Sequence, residues 1–129
     1  RAAEGYGRGV KEVCNNIGSV LAEYGHDPPA VDYYARAAGM DKHYALPRWN
    51  LFRLFKRHGR YAEAREQLEQ IIAATPDDFR AYGEMGFLLH NHLDDPDAAV
   101  RFWHESLRIK PDQPQIIEAL ASRSTSLDR

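Results

Sequence analysis

The sequence predicts an all-α protein, three antiparallel helical hairpins stacked one after another and closed by a further helix, and three observations predict it. Landmark residues return at a fixed interval: Gly25 and Gly59 stand 34 residues apart, as do Ala30 and Ala64, while Pro76 and Pro111 stand 35 apart. A period in this range marks repeated supersecondary units, each unable to bury its apolar face alone. Within each period the apolar residues fall at spacings of three and four, as in Tyr82, Met85, Gly86 and Leu89, which lines them along one helix face. Turn signals separate those stretches. Gly25 and Gly59 suit the left-handed residue past a helix end, and Asp27-Pro28 and Asp95-Pro96 read as an N-cap followed by a first-turn proline.

The elements follow in order within one domain, residues 1–129, of which 1–10 are a lead-in. The first hairpin, 11–44, opens on Cys14, Ile17, Gly18 and Leu21, continues through Ala30 and Tyr34, and has Lys42 where later periods have proline. Arg48, Leu51, Phe52 and Phe55, then Ala64, Leu68 and Pro76, occupy the same places in the second hairpin, 45–78. In the third, 79–113, they are Tyr82, Met85, Gly86 and Leu89, then Ala99, Trp103 and Pro111. Gly18 and Gly86 each give up about 1 kcal/mol of helix propensity relative to Ala, so a close approach of the paired helix is expected there. The extra residue of the third period is expected within 90–97, since an insertion costs least in a loop. Asp77 and Asp78, like Asp94 and Asp95, read as caps for the helices they precede. Pro111, Asp112 and Pro114 introduce Ile116, Ile117 and Leu120, a capping helix over 114–129 that frays after Ser122.

The period of 34, with a small residue, an aromatic or aliphatic partner and a closing proline, resembles the tetratricopeptide repeat, and the likeness covers residues 11–111. The resemblance implies a right-handed α-solenoid in which the first helix of every hairpin lines a concave groove that holds a peptide or helix of another protein. In that register the groove receives Glu12, Asn15, Ser19 and Glu23 from the first hairpin. Trp49, Asn50, Arg53, Lys56 and Arg57 come from the second, and Arg80, Glu84, Phe87 and His90 from the third. Trp49 lies one place off the packing stripe and shares a face with Arg53, Lys56 and Arg57, so the expected centre is basic and aromatic and suits an acidic segment. A solvated helix face is the plainer reading of the same charges. The carboxylate clamp by which some family members hold the acidic C-terminus of heat-shock chaperones is mostly not matched, with only Asn50 identical and Arg80 similar. Its places are taken by Asn15, Ser19, Asn50, Arg80 and Glu84, and Glu84 stands where a cation is needed.

Composition agrees with a binding module and argues against other classes. A net charge of −2 gives no reason to expect a nucleic-acid partner, and no apolar run approaches the length of a membrane span. One cysteine, Cys14, excludes an internal disulfide, and the opening stretch lacks the apolar core of a signal peptide, so the expected compartment is the cytoplasm. His90 and His92 are the closest histidine pair, but residues two apart point to different sides of a helix, and no metal site is expected. The sequence has no phosphate-binding glycine loop, G-x-S-x-G or H-E-x-x-H. No catalytic residue and no cofactor are therefore expected, and the chain reads as a scaffold, not an enzyme. The alternative expectation is self-association, or docking to other domains, through the exposed ends of the repeat stack.

Overall fold

A computed structural model of the chain describes residues 9–127, with side chains as far as residue 123. All regular structure among the described residues is helical: α1 (Val10–Glu23), α2 (Asp27–Met40), α3 (Leu46–Arg57), α4 (Tyr61–Ala74), α5 (Phe79–Asn91), α6 (Pro96–Ile109) and α7 (Pro114–Leu127). They fall into two compact units, α1–α4 and α5–α7. The expected all-α arrangement of helical hairpins is present. The expected lead-in lies outside the described residues except for Gly9 and Val10, and Val10 already belongs to α1.

In the first unit α1 pairs with α2 and α3 with α4, and α2 also packs on α3. Both hairpin corners are closed in the same way. Gly25 and Gly59 take φ of 82° and 73°. Beside them His26 N–H reaches Leu21 O and Gly25 N–H reaches Ala22 O, at 2.8 and 3.0 Å; Arg60 to Phe55 and Gly59 to Lys56 repeat the pattern at 2.8 and 3.1 Å. These pairs satisfy carbonyls that a helix end leaves open, and the left-handed residue they require favours glycine.

The expected cap at Asp27 is corrected by the structure. The His26 carbonyl already accepts from Ala30 N–H at 3.1 Å, so the helix starts one residue earlier and Asp27 is its first residue. Pro28 and Pro29 occupy the turn that needs no intrahelical donor. The Asp27 carboxylate turns instead towards the C-terminal end of α3.

The core of each hairpin is settled by a pair of positions whose sizes compensate. On α1, a Cβ at Gly18 would lie 2.8 Å from Tyr34 Cδ1, so the tyrosine ring crosses the helix where no side chain stands. At the same pair of places the second hairpin has Phe52 and Leu68, both buried, a large residue in the small-residue place answered by a smaller one opposite. Interiors are packed to near-constant density, so volume gained at one position is given up at its neighbour.

In the second unit α5 and α6 form the hairpin and α7 packs on α6. Gly86 and Trp103 are its size pair: a Cβ at Gly86 would lie 2.3 Å from Trp103 Cδ1 and Nε1. Asp78 and Asp95 cap as expected, accepting from Arg80 N–H and Ala98 N–H at 3.1 Å each. Asp94 does not cap. It takes φ of 51° in the loop over 92–95, which has one residue more than the loops over 24–26 and 58–60, and this is where the extra residue was expected. Buried Ser106 donates to Phe79 O at 2.7 Å and accepts from Gln113 Nε2 at 2.9 Å, which fixes the start of α7. The expected fraying after Ser122 is not found. No proline or glycine interrupts residues 123–127, Arg123 Nη2 reaches Asp97 Oδ1 at 2.8 Å, and the helix continues to Leu127.

Candidate functional site

The face shared by α1 and α3 carries a chain of polar contacts that begins in the core. Asn15, 2% exposed, accepts from Asn50 Nδ2 at 2.9 Å. Asn50 Oδ1 in turn accepts from the Arg53 guanidinium. A buried amide must find a partner, so Asn15 fixes Asn50 and Asn50 holds Arg53, which is itself exposed. Arg53 makes no ion pair among the described residues, and its charge faces solvent without a counter-charge. Ser19 lies one turn after Asn15, and its Oγ accepts from the Tyr34 hydroxyl at 3.1 Å. That bond depends on Gly18, because the tyrosine ring reaches across α1 only where no Cβ stands.

The expected basic-aromatic face of α3 divides into three groups. Arg53 joins Asn15 and Asn50, as described. Trp49 packs edge-on to Phe52, with ring centroids 5.8 Å apart, and Lys56 Nζ lies 5.0 Å from the same Phe52 ring. Arg57 leaves this face: its Nη2 lies 3.1 Å from Asp27 Oδ2, with His58 Nε2 at 2.5 Å from the same oxygen. These contacts hold the Asp27 carboxyl below its ordinary range, the His58 hydrogen bond contributing most and Arg57 adding to it. Beside the pair, Pro28, Val31, Leu54 and Phe55 line an apolar cleft of about 390 Å³.

Arg48 has a place on α3 that the sequence concealed. It stands in the opening position of the repeat, a packing place, yet its Nη1 is a buried donor without a hydrogen-bond partner. An arginine where the other hairpins have Cys14 and Tyr82 was the available signal. Lys11, by contrast, is held by Asp41 at 2.6 Å, and that bond, with one from the His43 amide, lowers the Asp41 carboxyl.

In the second unit Arg80, Glu84, Phe87 and His90 all lie on α5. Arg80 is 3.7 Å from the cap residue Asp78. Phe87 and His90 both pack on the buried Trp103, with centroids at 5.2 and 5.5 Å, so these two serve the hairpin core as well as its surface. Among the described residues no three His, Cys, Asp or Glu side chains are placed to hold a metal ion. No described helix is long and apolar enough to cross a membrane.

Residues 29–85 match the family model described as tetratricopeptide repeat. No curated protein matches the sequence. Among solved structures, the first tetratricopeptide domain of Spaghetti (RPAP3), bound to the HSP90 peptide SRMEEVD, superposes with a TM-score of 0.77 at 18% identity, covering 93% of this chain and 94% of that one. The N-terminal domain of stress-induced protein-1 from C. elegans gives 0.78 at 16% identity, over 87% and 92% of the two chains. YrrB, described as having an unusual peptide-binding site, gives 0.72 at 18% identity, over 86% of this chain and 57% of that one.

Proposed function

Since the chain is a tetratricopeptide-repeat domain protein, we propose that it is a protein-interaction scaffold whose α1–α3 face binds an acidic segment of a partner protein. The observation that carries the reading is the chain Asn15–Asn50–Arg53, which positions a guanidinium without a counter-charge. A pre-positioned Arg loses little side-chain freedom on gripping a carboxylate and can do so through two parallel bonds. Asn15 and Asn50 set the geometry, Arg53 binds, and Lys56 adds charge. Trp49, half-buried against Phe52, gives a flat apolar surface for a side chain of the partner. Arg57 belongs to the Asp27 corner, and Ser19 to the Tyr34 contact.

Peptide recognition by RPAP3 and YrrB favours this class of function. The acidic preference rests on Arg53, with the Lys56 charge beside it on the same helix. Fluorescence anisotropy with an Asp/Glu-rich helical peptide tests the reading. Arg53→Glu is expected to weaken binding at least tenfold, and raising salt from low to physiological ionic strength should slow association more than it speeds dissociation. Equal affinity for wild type and Arg53→Glu would remove the α1–α3 face from the function.

A further inference from the structure

On the side of α1 away from Asn15 lies an apolar stripe that nothing described so far explains. Val10, Val13, Ile17, Val20 and Tyr24 follow at spacings of three, four, three and four, and all are substantially exposed: Val13 is 55%, Val20 53% and Tyr24 74% accessible. This is the a/d spacing by which one helix receives another. An exposed, continuous apolar stripe on a soluble helix marks a contact surface more often than chance.

The internal repeat says what kind of surface it is. Moving 34 residues along the chain carries Val13, Ile17 and Val20 onto Pro47, Leu51 and Leu54 of α3. There the same three places are buried, with Leu51 and Leu54 at 3% and 4% exposure, and α3 is packed against α2. Leu54 lines the apolar cleft together with Pro28 and Val31 of α2. The five-residue link over 41–45 makes α2 and α3 antiparallel neighbours. The stripe on α1 is therefore the repeat's helix-receiving face in a hairpin where no described helix occupies it.

We propose that this face docks an amphipathic helix of a partner protein, lying antiparallel to α1 and presenting apolar residues at spacings of three and four, as α2 presents Pro28 and Val31 beside Leu54 in the first unit. Exposed neighbours Asn16, Ser19 and Glu23 form a polar, weakly charged rim, so apolar fit and not charge selects the helix. In this respect the site differs from the α1–α3 face, and one can fail without the other.

The helix α2 itself supplies the probe. A capped peptide of residues 26–41, held helical by a lactam between Asp32 and a lysine placed by Arg36→Lys, is titrated into the isotopically labelled chain and followed by amide NMR shifts. The brace is needed because an isolated helix of this length is marginal in water, and both bridged positions are exposed in the chain. The proposal expects saturable shifts at Val13, Ile17, Val20 and Tyr24. It also expects at least tenfold weaker binding for a Val13→Glu/Val20→Glu chain, repeated with Val13→Ser/Val20→Ser should the glutamates disturb folding, and for a Val31→Asp peptide. Absence of shifts at millimolar peptide, or shifts that survive both chain variants, would overturn it. So would shifts at Asn15 and Gly18 instead, which report exchange with the chain's own α2. Stripe shifts that track the chain's own concentration without peptide would also overturn it, by assigning the face to a second copy.

Discussion

Two glycines three residues apart on α5 make opposite demands. A methyl group at Gly86 meets the Trp103 ring at 2.3 Å, in a core with no room to retreat, whereas at Gly83 its tightest contact is the terminal carbon of Ile116, at 3.1 Å, with Ser106 Oγ at an ordinary 3.5 Å. Gly86→Ala is expected to cost about 3 kcal/mol, because overpacking outweighs the gain in helix propensity. Gly83→Ala is expected to keep most of that gain and raise stability by up to about 1 kcal/mol; urea midpoints measure both. A second residue-scale effect concerns pH. The Asp27 carboxyl is lowered from 3.8 in the folded chain, so its contribution is fully present above that value and is lost as pH falls through the folded pKa. Urea midpoints of wild type should therefore fall with pH in the acid range more steeply than those of Asp27→Asn. At this scale the sequence was least legible. The pairing of Arg57 with Asp27 joins residues 30 apart, and a face drawn from spacing on α3 alone does not contain α2.

Helix ends were far easier to read. Gly25, Gly59, Asp78 and Asp95 do locally what their chemistry suggests, because a left-handed turn or a capped amide involves only residues within four or five places of one another. Open space surrounds Gly59, with nothing within 4 Å of where a Cβ would stand, yet its φ is 73°. Gly59→Ala should therefore destabilise by about 1 kcal/mol from backbone strain alone, visible as a lower melting temperature without new fluorescence or NMR contacts. Asp27 was misread at this scale because Asp-Pro looks the same whether the aspartate caps or begins a helix. The choice rested on the His26 carbonyl. Fraying at α7 was misread because the holding contact, Arg123 to Asp97, comes from another helix.

For the chain as a whole, the 34-residue period made the fold legible, since each repeat confirms the next. The candidate face was only half legible: register placed Asn15 and Asn50 on one side, but burial of Asn15 and the bond between them depend on α1 meeting α3. Division into two compact units predicts that damage is contained. In Gly86→Ala, hydrogen exchange should quicken across α5 and α6 by a larger factor than across α1–α3, as expected where stability is shared between neighbouring repeats; uniform acceleration would mean a single cooperative block. The chain's two tryptophans add an optical consequence. Trp103, sealed inside the α5–α6 hairpin beside His90, should emit at short wavelength and partly quenched, while Trp49, less deeply buried, emits further to the red. Each unit thus carries its own native lamp, and a ligand settling on α3 should change the colour of one while leaving the other as it was.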